Sequence, residues 1–145
     1  MSMLLAHLFG VMSCALGHVA PQCGCLSNDA VEMSFNTVST SNLGGQGPDG
    51  GPEEIRIPNV ATYEGNNVDL VATVIGSYSP RNVNNNRVRG PFLTINMNVG
   101  TSSRFQFQLQ DSSSKSPVQL PEFAFSFLDF DKGWPPPGEE GPSTG

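Results

Sequence analysis

Beyond Val31 the sequence keeps a two-residue beat, and no other feature restricts its fold so strongly. In "VEMSFNTV" the residues Val31, Met33 and Phe35 share one face; in "EIRIPNV" Ile55 and Ile57 do; in "RFQFQLQ" Phe105, Phe107 and Leu109 stand opposite Arg104 and three glutamines. Side chains on a strand alternate between faces, so this pattern describes half-buried strands. "VDLVATVIGSY" is apolar on both faces and is expected to be a central strand. "PFLTINMNV" is expected to turn Leu93, Ile95, Met97 and Val99 inward and Asn96 and Asn98 outward, and "EFAFSFLDFD" reads as the last strand. Phe105, Phe107, Phe123, Phe125 and Phe127 are then expected on inner faces, each contributing about 2 kcal/mol on burial.

The segments between these runs, "YEGNNV", "SPRNVNNNRVRGP" and "DSSSKSPVQLP", are rich in residues that favour turns and disfavour helices. They are too short and polar to be crossover helices, so the strands are expected to pair antiparallel. The expected class is all-β, an antiparallel β-sandwich or jelly-roll-like fold spanning residues 53–133. Residues 18–52 read as a leader and a Gly/Pro-rich loop with one strand at 31–38. Residues 134–145, "WPPPGEEGPSTG", read as a polyproline-like tail. A sandwich ordinarily closes with a further strand after such a point, so an incomplete sandwich is also expected.

The first twenty residues carry no charged side chain and run apolar from Met3 to Leu16, the layout of a secretory signal helix. Ala15 and Gly17 supply a small-x-small pattern for cleavage after Gly17, giving a signal peptide over residues 1–17; a cut after Ala20 would put Pro21 in the position following it. The expected location is therefore extracellular, with membrane attachment only if the leader stays uncut. Export removes Cys14 and leaves Cys23 and Cys25, one residue apart, a spacing that suits mutual disulfide geometry poorly. A bond to another chain, a bond to a cysteine in a missing C-terminal part, and unpaired thiols in a mobile leader all remain open. The net charge of −6 argues against general nucleic-acid binding, which needs a cationic docking face.

Cleavage after Gly17 leaves His18 as the one histidine, at the new terminus. A Ser-His-Asp triad, a Cys-His dyad and a histidine-ligated zinc site are thereby excluded from the fold, and no phosphate-cradling glycine motif follows a strand. The chain is expected not to be an enzyme. "SNLGGQGPDGGPEE" places Gly44, Gly45, Gly47 and Asp49 on half of a calcium-binding nonapeptide, but there is one copy and Gly51 stands where an apolar residue belongs; it reads as a loop leading into the strand near Glu54. "FLDFD" is the metal candidate: alternation puts Asp129 and Asp131 on one face about 6 to 7 Å apart. Hard oxygen ligands suit Ca²⁺, with Asp69, Glu53 or Glu54 as further donors. The same pair meets a glycosidase spacing only roughly. Arg81, Arg87 and Arg89, set among asparagines, form a positive loop patch able to receive an acidic sugar, a phosphate or a partner's carboxylates. Tyr63, Tyr78 and Trp134 are the polar-tipped aromatics available to stack on a sugar.

The runs "SNLGGQGPDGGPEEIRIPNV", "VDLVATVIGSYSP", "FLTINMNVGTSSRFQFQLQDS" and "LPEFAFSFLDFDKG", across residues 36–133, resemble the secreted β-sandwich proteins of unicellular algae such as dinoflagellates. The final F-x-F-x-D-x-D strand is also similar to that of bacterial surface domains. The resemblance implies an extracellular sandwich that continues beyond the D-x-D strand, and it assigns no activity or mechanism. The expected function is a secreted, non-catalytic module for surface adhesion or matrix binding, steadied by Ca²⁺, with a glycan or another extracellular protein as partner. The alternatives are a carbohydrate-binding or carbohydrate-cleaving module, which a row of exposed aromatics would favour, and a truncated fragment without independent function.

Overall fold

A computed structural model describes the strand Ser2–His7 and residues 30–128. The described residues form eight strands, β1 (Ser2–His7), β2 (Thr40–Ser41), β3 (Glu54–Tyr63), β4 (Asn66–Ile75), β5 (Arg87–Arg89), β6 (Phe92–Met97), β7 (Arg104–Asp111) and β8 (Ser126–Leu128). Their pairings are antiparallel, in one sheet of order β2-β3-β4-β7 and another of order β5-β6-β1-β8. The chain is all-β: helical structure among the described residues is confined to 3-10 turns at Leu43–Gly45 and Val83–Asn85.

β4 is the central strand its apolar sequence predicts, paired with β3 on one side and β7 on the other. Ile55 and Ile57 from β3, Val68, Leu70 and Ala72 from β4, Leu109 from β7 and Leu93 and Ile95 from β6 belong to one buried cluster, so both sheets contribute to a common core. Burying each of the isoleucine, leucine and valine side chains contributes on the order of 1.5–3 kcal/mol.

β3 is interrupted opposite Asp69. The register runs regularly to Ile57↔Leu70 and resumes at Ala61↔Val68, leaving Pro58, Asn59 and Val60 to bulge. Proline cannot donate to a ladder, and Asn59 takes a left-handed φ of 53°, which asparagine tolerates better than most residues. The bulge turns the Val60 carbonyl to the Ser34 N–H at 2.7 Å, fastening the segment 31–38 to the sheet. That segment keeps its expected alternation, with Met33 and Phe35 buried and Glu32, Ser34 and Asn36 exposed, yet it forms no ladder and is not the strand its pattern predicts.

Several expectations are corrected by the loops. Asn96 does not face solvent: the loop after β4 folds over β6, its Asn82 N–H donates to Asn96 Oδ1 at 2.7 Å, and Asn96 is buried. Asn98 is likewise covered, donating to Ser79 and Pro80. Val99 is half exposed rather than inward, because β6 ends at Met97 and Val99 rides the turn that Thr101 closes on the Asn98 carbonyl. Of the five phenylalanines expected on inner faces, Phe105, Phe107 and Phe125 are half-buried, whereas Phe123 and Phe127 are 45% and 42% exposed. Among the described residues of "EFAFSFLDFD" the strand is Ser126–Leu128, so residues 122–125 are not held to a pleat.

Over Ser2–His7 the backbone is a strand, where a signal helix is expected. A short apolar run without charges satisfies a buried strand as readily as a helix, and periodicity does not separate the two. Residues 8–29, with the expected cleavage sites and all three cysteines, lie outside the described residues, as do Asp129, Asp131 and the tail from 134.

Candidate ligand-binding groove

A concavity of about 620 Å³ opens beside β7. Leu70 and Leu109 form its floor with Phe107, Met33 stands on one side, and Val118, Leu120, Phe123 and Phe125 line the other. The wall is set by the turn after β7. Asp111 accepts from the Ser113 N–H at 3.0 Å and the Ser114 N–H at 2.7 Å, and from both serine hydroxyls, at 2.6 and 2.9 Å. Led by the Ser113 hydroxyl, these donors hold the Asp111 carboxyl below the usual carboxylate range. The turn sends the chain back along β7, where Asp111 N–H meets the Ser116 carbonyl and Val118 N–H meets the Leu109 carbonyl, both at 2.9 Å. On the far side the Val31 N–H donates to the Glu122 carbonyl at 3.3 Å, tying the two walls together.

Aromatic rings dominate this end of the molecule. Phe107 and Phe125 have centroids 5.3 Å apart, Phe125 and Phe127 5.0 Å, and Phe107 and Phe127 5.8 Å, the tilted geometries that ring quadrupoles prefer. Gln108 and Gln119 are the amide-bearing residues on the rim, and no described lining residue is charged. The chemistry of this lining suits apolar burial and ring stacking, with the rim amides able to hydrogen-bond a neutral group.

The charged residues gather elsewhere. Asp69 is buried opposite the β3 bulge; its Oδ1 accepts from the Asn59 N–H at 3.1 Å and from the Ser112 hydroxyl, and its Oδ2 from Arg56 at 2.9 Å and Lys115 at 3.1 Å. Burial alone would raise its pKa, but Ser112, Asn59, Lys115 and Arg56 outweigh that and bring it down to about 2. Arg56 also contacts Glu54 at 2.7 Å and Gln110 at 2.9 Å. Each Asp69 carboxylate oxygen has two donors, so the cluster joins β3, β4 and the turn after β7. Asp69 and Glu54, two of the further calcium donors expected from sequence, are both engaged by Arg56, and no cluster of three potential metal ligands occurs among the described residues.

A second polar cluster is buried under the loop after β4. Tyr78 donates to the Asn96 carbonyl at 2.5 Å and lies 3.0 Å from Asn86 Oδ1, which also accepts the Asn96 N–H at 2.8 Å. Burial pushes the Tyr78 phenol up to about 12, against the opposing pull of Asn86. The Asn86 carbonyl takes the Ser41 hydroxyl at 2.9 Å, linking β2 to this loop.

Of the arginine patch, Arg87 and Arg89 share one face of the edge strand β5 and are exposed. Arg81 is exposed at the start of the preceding loop, and Arg89 donates to Asn85 of that loop at 2.9 Å. Tyr78 is in the core and Tyr63 is partly buried, packed against it. In "SNLGGQGPDGGPEE" the Asp49 carboxylate accepts the Ser41 N–H at 2.7 Å, and Asn42 bridges Gly47 N–H and the Gly51 carbonyl, both at 2.9 Å. The stretch is a loop pinned by its own side chains, as its composition predicts.

Comparison with family models, with curated proteins and with solved structures returns no match. The sequence reading did not anticipate the groove or the Asp69 cluster. A signal for the latter was present: one aspartate within "VDLVATV" and one arginine within "IRIPNV", single opposite charges in two apolar runs that pair as neighbours.

Proposed function

We propose that this chain is a secreted, non-catalytic β-sandwich module, its two sheets packed face to face, that serves surface adhesion or matrix binding through the phenylalanine groove. The observation that carries this reading is the open, uncharged groove with Phe123 exposed on its rim. A contiguous exposed apolar patch marks an interaction site more often than a fold requirement. Its partner is another extracellular protein presenting an apolar side chain, and Ca²⁺ at Asp129 and Asp131 steadies the adjoining chain. Arg87 and Arg89 on the β5 edge offer a separate contact for a partner's acidic groups.

A glycan partner is the second reading, favoured by the exposed rings of Phe123 and Phe127 and the rim amides of Gln108 and Gln119. Binding of the secreted protein to arrays of matrix proteins and glycans, with and without chelator, separates the two. Phe123→Ala should abolish the dominant signal while leaving the melting temperature nearly unchanged. Equal binding by wild type and Phe123→Ala would remove the groove from the function.

A further inference from the structure

We propose that the position between β6 and β8 is a strand-acceptor slot, filled in the exported protein by an extended, uncharged, apolar strand from a second polypeptide chain. This rests on the reading that the protein is secreted and its leader removed, and it gives the adhesion function a mechanism. The strand seated there, β1, is "SMLLAH", which lies wholly within the expected signal peptide. It pairs antiparallel with β6 from Ser2↔Met97 to His7↔Phe92 and with β8 from Leu5↔Leu128 to His7↔Ser126. Loss of the leader removes an interior strand.

Neighbouring strands lie about 4.8 Å apart, so the space left is one strand wide, with β6 and β8 roughly 10 Å from each other. β6 and β8 both run antiparallel to β1 and are therefore parallel to one another, and among the described residues β8 has three with which to close the gap. Both exposed edges, "FLTINM" and "SFL", lack a charged residue or a proline, the usual means of keeping an edge from accepting a strand. Behind β6, Leu93 and Ile95 belong to the core, so an unfilled slot opens a path for water toward it.

The segments flanking the sheets in this sequence are poor occupants, so the slot is assigned to a strand from another protein. Residues 18–29 contain Pro21 and Gly24, residues 129–134 carry Asp129, Asp131 and Lys132, and Pro135 to Pro137 follow. Prolines and charges are poorly tolerated in an interior strand. The partner segment has at least six residues, no proline, and runs antiparallel to β6; main-chain hydrogen bonds supply affinity and its side chains supply selectivity.

The test uses protein recovered from the medium of expressing cells, with its N-terminus sequenced. A synthetic peptide of the sequence of residues 2–7 with a hydrophilic tail is the probe, and the same peptide with Leu4→Pro and Leu5→Pro is the control, since adjacent positions direct their N–H groups to opposite neighbours. The proposal expects saturable binding of the first peptide only, and amide exchange over Phe92–Met97 slowed about tenfold or more by it, while β3 and β4 stay protected throughout. Protein starting at residue 18 or 21 that ignores both peptides, takes up both equally, or already protects its β6 amides overturns the slot and leaves the leader reading standing. Secreted protein that retains Met1 overturns the leader reading and the open slot together.

Discussion

Arg56 on β3 and Asp69 on β4 meet at 2.9 Å diagonally across their pairing, with Asp69 held where the β3 bulge has opened the ladder. The carboxylate takes the place of the missing strand partner: it accepts the Asn59 N–H that the bulge displaces and anchors the serine turn after β7 through Ser112 and Lys115. Removing its charge leaves a largely buried guanidinium without its deepest partner. Asp69→Asn should cost about 3 kcal/mol or more in urea unfolding. Lys115→Ala, at a half-exposed side chain, should cost under about 1 kcal/mol. Equal losses would show that the two contacts matter alike and that the bulge is held by something else.

The same carboxylate predicts an acid limb. Its folded pKa of about 2 lies below the unfolded value, so its stabilisation is complete above about pH 4 and disappears as pH falls through 2. The contribution is about 2 to 3 kcal/mol. Asp111, held low by Ser113 and Ser114, adds to the decline in the same direction. Unfolding free energies measured between pH 5 and 2 should fall less steeply for Asp69→Asn than for the wild type. Parallel curves would refute the assignment.

Gly44 and Gly50 lie in the same loop and should respond oppositely to alanine. Gly44 has φ 61°, and a Cβ there would stand 3.1 Å from Cβ of buried Tyr78; Gly50 has open space around it. Gly44→Ala is expected to lower stability by about 1 to 2 kcal/mol through strain and crowding, and Gly50→Ala to change it by less than about 0.5 kcal/mol. Thermal melts of the two variants decide the matter.

Calcium should raise the melting temperature if Asp129 and Asp131 share an ion, because a ligand bound to the folded state alone shifts the equilibrium by mass action. Replacing both with asparagine should abolish the rise. Asp49→Asn should preserve it, since the Asp49 carboxylate is occupied by the Ser41 N–H. No shift at millimolar Ca²⁺ would refute the metal site.

The alternation of the sequence made the sheets legible: Ile55, Ile57, Leu93, Ile95 and Leu109 are buried where a period of two puts them. It did not make legible which extended segments would find hydrogen-bonding neighbours. Residues 31–38 carry the strand pattern and bury Met33 and Phe35, but pair through isolated bonds to Val60 and Glu122. Asn96 illustrates the other failure, since a polar residue in an alternating strand reads as solvent-facing until a distant loop supplies its partners. The groove was hidden for the same reason. It depends on how the turn at Asp111 folds residues 116–125 back against β7, a geometry that no local pattern encodes.

That return segment also changes the edge that β7 offers to another strand. Against the outer side of β7 it covers the stretch from Leu109 to Asp111, with the bridge between Gln110 and Pro117 ending in a residue that cannot extend the ladder. Growth of a fibre by strand stacking needs a long uninterrupted template. Here the template is shortened to residues 104–108 and begins with the exposed cation of Arg104, which repels an identical strand laid in register against it. The turn that builds the groove thus acts as a brake on self-templated assembly, and shortening it would be expected to favour filaments over soluble protein.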